Sequence, residues 1–142
     1  MLQVKHLLAE KGHRVFAIGP DEAVLVAVRM MADRHIGALL VMDGDALAGI
    51  VSERDYARKI ILQGRASTET PVREIMSSPV VSVGPEDSID TCMRLCTERR
   101  IRHLPVVQAG KVVGVVSIGD LVKAVISAQS QEIEQLQRYI AG

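Results

Sequence analysis

The sequence predicts an α/β (α+β) fold made of two β-α-β-β-α repeats packed sheet to sheet with approximate twofold symmetry. Residues 15–64 overlay residues 80–129 without a gap, at an offset of 65. Identities at that offset include Gly19-Pro20 with Gly84-Pro85, Arg34 with Arg99, Ile36 with Ile101, Gly49 with Gly114, Val51-Ser52 with Val116-Ser117 and Asp55 with Asp120. Within each copy the apolar spacing switches between the strand period and the helix period. A copy of about 50 residues is too small to bury a sheet alone, so 142 residues with 48% hydrophobic composition are read as two half-cores that need each other.

A short amphipathic helical lead-in opens each unit, Val4-Lys5-His6-Leu7-Leu8 in one and Val72-Arg73-Glu74-Ile75-Met76 in the other. The first strand, Val15 to Ile18 or Val80 to Val83, stops at Gly-Pro. Asp21 or Glu22, and Glu86 or Asp87, then set acid at a helix start, where the dipole favours it. Val24, Val28, Met31 and Ala32 follow at helical spacing, matched by Ile89, Met93, Cys96 and, less well, Thr97. Two strands come next: Ala38 to Met42 and Leu47 to Val51 around Asp43-Gly44-Asp45, then Leu104 to Val107 and Val112 to Val116 around Gln108-Ala109-Gly110. A closing helix starts at Ser52 or Ser117. Polar residues 63–70 form the linker, with Pro71 at the first position of the next short helix, and Ser130 to Ile140 is an amphipathic helix with Ile133, Leu136 and Ile140 on one side. The division is 1–64 for the first repeat with its lead-in, 65–79 for the linker and short helix, 80–129 for the second repeat and 130–142 for a C-terminal helix.

Composition excludes several functions. Seventeen basic residues balance seventeen acidic ones, and Phe16, Tyr56 and Tyr139 are the only aromatics, so neither a phosphate-collecting field nor a base-stacking platform is expected. No apolar run reaches the 18 or so residues of a membrane helix, and the N-terminus lacks a secretory pattern, which suggests a cytoplasmic protein. Cys92, Cys96 and His103 invite a zinc reading, but two cysteines four apart on one helix make a poor tetrahedral set. The repeat places Cys92 on Ala27 and Cys96 on Met31, which favours small core side chains. Catalysis is not expected either: Ser52 and Ser117 lack a Gly-x-Ser-x-Gly elbow, and the glycines form no phosphate-binding loop signature.

The strongest local signal is Gly49-Ile50-Val51-Ser52-Glu53-Arg54-Asp55 with its counterpart Gly114-Val115-Val116-Ser117-Ile118-Gly119-Asp120. Ser-x-x-Asp at a helix start is close to a capping box. The same residues can serve a ligand, because a helix start favours anions and an aspartate there can accept both hydroxyls of a ribose. The two readings are compatible.

The repeated Gly-h-h-Ser-x-x-Asp after two strands resembles the CBS-domain pair, and within it the small stand-alone bacterial proteins; the likeness covers nearly the whole chain. The resemblance implies a regulatory sensor, not an enzyme, that binds AMP, ADP, ATP, NAD or S-adenosylmethionine in clefts between the repeats and signals to a separate partner protein. By position, it implies that Ser52 with Asp55 and Ser117 with Asp120 meet the ribose and phosphate end. Ile18, Val83, Ile36, Gly37, Ala38, Ile101, Arg102 and His103 would line the base pockets, so that adenine lies between aliphatic side chains. Arg54 stands against Gly119, and Arg102-His103 against Gly37-Ala38, so the two pockets are expected to be unequal, with the cations suited to phosphate oxygens. The resemblance also implies a flat homodimer, for which Tyr56, Ile60, Leu121 and Val125 are candidate surface residues. A structural homodimerisation module with degenerate pockets is the first alternative, ahead of an enzyme using the Ser, Asp and His of the cleft.

Overall fold

The structure, a computed structural model, describes residues 2–141. Its elements are α1 (Val4–Lys11), β1 (Ala17–Ile18), α2 (Val24–Arg34), β2 (Ala38–Asp43), β3 (Ala46–Ser52), α3 (Glu53–Tyr56), α4 (Ile89–Arg99), β4 (His103–Gln108), β5 (Lys111–Ser117) and α5 (Ile118–Ala141). The wider π turn Ala57–Ile61 prolongs α3, and a 3-10 turn, Val72–Glu74, precedes the second copy. The fold is α+β with small sheets, β1-β2-β3 in one copy and β4-β5 in the other. The chain forms two compact bodies. One is Arg14–Val81 with Ala109–Val112; the other takes the chain up to His13, Ser82–Gln108 and the chain from Val113 onward.

The same positions are buried in each copy. Ile18, Val24, Ala27, Met31, Leu39, Val41 and Val51 pack in one core, with Ile60, Val72 and Ile75. Their counterparts 65 residues on, Val83, Ile89, Cys92, Cys96, Leu104, Val106 and Val116, are all buried in the other body. Burial of both thiols raises their pKa, that of Cys92 to about 11, with Asp87 and Cys96 adding to the rise. They are neutral core side chains, and among the described residues no group of three or more His, Cys, Asp or Glu could hold a metal ion.

The copies differ at the first strand for a covalent reason. β1 pairs parallel with β2, Ala17 with Leu40 and Ile18 with Val41, and the Leu40 N–H donates to the Phe16 carbonyl at 3.1 Å. The residue equivalent to Leu40 is Pro105, which has no N–H to give. The four-residue strand expected at Val80 to Val83 is accordingly a single bridge, Val83 to Val106.

The helix starts also depart from expectation. Neither Asp21 nor Glu22 lies in the first turn of α2. Glu22 instead accepts from the Gly19 N–H at 3.3 Å, and its counterpart Asp87 from the Gly84 N–H at 2.7 Å. These carboxylates close the Gly-Pro turn, because an N–H three residues back is nearer than the helix end. The end of α2 is met by the linker, since Val24 N–H donates to the Thr70 carbonyl at 2.9 Å. In α4 the equivalent Ile89 N–H donates to the Leu2 carbonyl at 3.1 Å, and Ser88 caps Thr91.

Those bonds show that the lead-ins are exchanged. α1, grouped by sequence with residues 1–64, docks on the second copy through Val4 N–H to the Asp87 carbonyl and Lys5 N–H to the Pro85 carbonyl, both 2.9 Å. The Val72–Glu74 turn docks on the first copy in the same way, through Val72 N–H to the Glu22 carbonyl at 2.8 Å and Arg73 N–H to the Pro20 carbonyl at 2.9 Å. Close packing seals each junction: a Cβ on Gly49 would lie 2.6 Å from the Met76 sulfur, and one on Gly114 would lie 2.8 Å from Leu8 Cδ2.

At the C-terminus, the separate helix from Ser130 is instead the end of one 24-residue helix, α5. Nothing between Gly119 and Ala141 breaks a helix, as there is neither proline nor further glycine. Ile60 and Leu121, offered as dimer-surface residues, are buried in their own cores at 2% and 0% exposure; the neighbours Ile61 and Val122 face outward.

Candidate functional site

Both Ser-x-x-Asp segments form complete capping boxes. Ser52 Oγ accepts from the Asp55 N–H at 3.2 Å, while Asp55 Oδ2 accepts from the Ser52 N–H at 2.9 Å and from its hydroxyl at 3.0 Å. In the second copy the Asp120 N–H donates to Ser117 Oγ at 3.2 Å, and the Ser117 N–H to Asp120 Oδ2 at 2.8 Å. The residue after each serine ties this corner to the start of the hairpin's first strand, β2 or β4: Glu53 N–H donates to the Gly37 carbonyl at 3.0 Å, and Ile118 N–H to the Arg102 carbonyl at 2.8 Å. The corner therefore holds Ser52 and Asp55 beside Gly37-Ala38, and Ser117 and Asp120 beside Arg102-His103.

The lining residues divide by depth. Ile18 is buried at the end of β1, and Val83 is buried at its single bridge to Val106 of β4. Ile36, Gly37, Ala38, Ile101 and His103 are half-buried, and Arg54 and Arg102 are exposed. Each carboxylate is already engaged by a lysine. Lys59 Nζ lies 3.3 Å from Asp55 Oδ1 and donates to the Ile75 carbonyl at 2.9 Å. Lys11 Nζ donates to Asp120 Oδ2 at 2.5 Å and to the Val115 carbonyl at 2.8 Å.

Electrostatics make the second corner distinct. Burial alone would raise the Asp120 pKa, but hydrogen bonds from Lys11 and Ser117 outweigh it and hold the carboxyl below its usual value. Burial lowers the pKa of His103, and the nearby Lys11 and Arg102 cations lower it further against the opposing pull of Asp120. At neutral pH the corner presents an anionic Asp120, a neutral His103 and the Lys11 and Arg102 cations.

Asp120 also borders a groove of about 450 Å³ between α1 and α5, which His6, Glu10, Lys11 and Lys123 line as well. Among the thirteen residues anticipated from sequence, it is the one that lines this groove. Lys11 was not anticipated, because it is 109 residues from Asp120. The available signal was the lead-in match, which runs at an offset of 68 rather than 65.

The CBS domain family matches residues 4–62 and 72–127. The chain is 44% identical over 127 residues to the CBS domain-containing protein CBSX3, mitochondrial, of Arabidopsis thaliana, a match covering 86% of this chain but only 62% of that relative. A protein with CBS domains from Burkholderia ambifaria MC40-6 superposes with a TM-score of 0.86 at 50% identity, covering 89% of this chain and 96% of the other. The CBS domain pair of MJ0100, solved in complex with 5′-methylthioadenosine and S-adenosyl-L-methionine, shares the fold with a TM-score of 0.80 at 21% identity, covering 90% of this chain and 98% of that one. Among the described residues, no helix is long and apolar enough to cross a membrane.

Proposed function

The chain belongs to the CBS-domain family as a tandem pair, and from that premise we propose that it is a cytoplasmic regulatory module that binds an adenosine-containing ligand at its two Ser-x-x-Asp corners. The observation that carries the reading is the duplicated corner. A capping box, a backbone bond to the strand start and a buried aliphatic residue just before the Gly-Pro turn recur in both bodies at the same offset. A cap alone needs only serine and the acid; it does not call for an aliphatic wall and a strand start at a fixed distance. A carboxylate held by its own helix start is preorganised to accept hydroxyl donors, and the aliphatic positions supply faces for a base. The ligand class is supported by the MJ0100 pair, which has the same fold and carries two adenosine compounds.

Ser52 with Asp55 and Ser117 with Asp120 take the ribose side, and Ile18, Ile36, Gly37 and Ala38 in one copy, with Val83 and Ile101 in the other, flank the base. Arg54, Arg102 and His103 sit where phosphate oxygens fall. The module acts by binding rather than by turnover, as a pair of copies signalling to a separate partner protein, and ligand that favours one arrangement of the repeats biases that partner by linkage.

The experiment is a melting-temperature screen against AMP, ADP, ATP, NAD and S-adenosylmethionine, followed by calorimetry on Asp55→Asn and Asp120→Asn. Asparagine keeps an oxygen for the cap but loses the charge, so affinity should fall about 5- to 100-fold, with Asp55→Asn little changed in folding and Asp120→Asn still folded but less stable for the loss of its Lys11 charge pair. Arg54→Ala should cost more for ATP than for adenosine. The competing reading, a structural module whose carboxylates serve only as caps, has in its favour that both are already paired with lysines. It wins if no ligand shifts the melt.

A further inference from the structure

We propose that the outer part of α5 is one strand of a parallel two-stranded coiled coil formed with a second copy of this chain. This rests on the pairing of copies proposed above and assigns it a surface.

α5 runs from Ile118 to Ala141, yet its one buried residue is Leu121, and every residue from Ile126 to Ala141 is exposed. The stripe that carries Leu121 into the core continues through Val125 and Ala128, then turns polar at Glu132 and Gln135. The helix therefore leaves its own core behind. A different stripe is apolar to the end but for Gln129: Val122, Ile126, Gln129, Ile133, Leu136 and Ile140, spaced alternately four and three residues apart. That is a heptad seam with Ile126, Ile133 and Ile140 at a, and Val122, Gln129 and Leu136 at d. Isoleucine at all three a positions, with Leu136 at d, suits a parallel pair, and Gln129 is the one polar residue of the seam.

The seam is open, with Ile126 and Leu136 both 57% exposed and Ile140 82% exposed. A helical stretch this short, standing clear of the core, is marginal in water without a partner. Self-pairing brings no like charges together, because Glu132 at g meets Gln137 at e of the other copy, and Val125 meets Ser130. Two such seams bury on the order of 1,000 Å², the lower end of what a specific interface takes. The remaining face, with Ser127, Gln131, Glu134 and Arg138, carries a single cation, Arg138, beside Glu134, too little positive charge to hold an anionic lipid surface.

The test uses the full chain. Ile133→Cys should form a disulfide-linked dimer rapidly on oxidation, whereas Glu134→Cys, one residue on and on the outer side, should react about tenfold more slowly; Cys92 and Cys96 are buried and do not compete. Ile133→Asp should weaken self-association in sedimentation by about a hundredfold while the repeats keep their circular dichroism. If the wild type is dimeric but Ile133→Asp is unchanged, or both cysteine variants cross-link equally, the seam is refuted while the pairing of copies stands. A monomeric wild type refutes both. Binding to anionic vesicles that Ile133→Asp abolishes, with no dimer, assigns the face to a lipid surface and overturns the proposal.

Discussion

Replacing Lys11 by methionine keeps its aliphatic stem and removes the cation that joins α1 to the Asp120 corner. The pair is tight, with Nζ 2.5 Å from Asp120 Oδ2 and a further bond to the Val115 carbonyl, and the side chains are 35% and 25% exposed. A charge-assisted bond in that setting, discounted for solvent screening, contributes about 1 to 2 kcal/mol. Lys11→Met should therefore lower the melting temperature by roughly 3 to 8 °C for a chain of this size. In a double-mutant cycle with Asp120→Asn, followed by urea unfolding at pH 7, the coupling should be about 1 kcal/mol and shrink with added salt. The internal control is Lys59 with Asp55, an i,i+4 pair at 3.3 Å, for which the same cycle should give about 0.3 to 0.5 kcal/mol. Equal coupling in the two cycles, or none between Lys11 and Asp120, would refute the view that the exchanged lead-in is fastened at this corner.

The two glycines at the lead-in junctions should respond unequally. The nearest atoms an alanine at Gly114 meets are Leu8 side-chain carbons, whereas alanine at Gly49 also meets the Ser77 carbonyl at 2.9 Å, which accepts the Ile50 N–H. Gly49→Ala should thus cost about 3 kcal/mol and Gly114→Ala about 1 to 2 kcal/mol in denaturant melts; the reverse order would show that the Leu8 contact is the stiffer one. Stability should also depend on His103. Its pKa in the fold lies below the ordinary 6.5, so between those values the unfolded chain binds more protons, and stability falls as pH drops below 6.5 through the folded pKa. Asp120 acts in the same direction but only at far lower pH, where its depressed carboxyl pKa is crossed and its stabilisation is lost. Melts at pH 7.5 and 5.5 should therefore differ less in His103→Gln than in wild type, and an identical difference would remove His103 from the account.

Legibility followed range along the chain. Hairpins β2-β3 and β4-β5 were readable because strand alternation, a turn and a capping serine lie within a few residues of one another. Cys92 and Cys96 were readable as core because the repeat places them on Ala27 and Met31. The shrinking of the Val80 to Val83 strand was written at Pro105, although the missing N–H matters only once the partner strand is known. Ile60 and Leu121 were misjudged by one position, because helix periodicity marks an apolar face and does not say what the face meets.

By itself the sequence determined the duplication, the α+β elements, the two buried sets and the paired Ser-x-x-Asp corners, since each follows from steric propensity, periodicity or hydrogen bonds between near neighbours. Tertiary structure alone decided which copy each lead-in joins, that Lys11 meets Asp120 across 109 residues, and that α5 runs past its core. A distant partner is chosen by the complementarity of surfaces that exist only after folding. The entropy of closing the loop between them changes slowly with length and leaves no local mark.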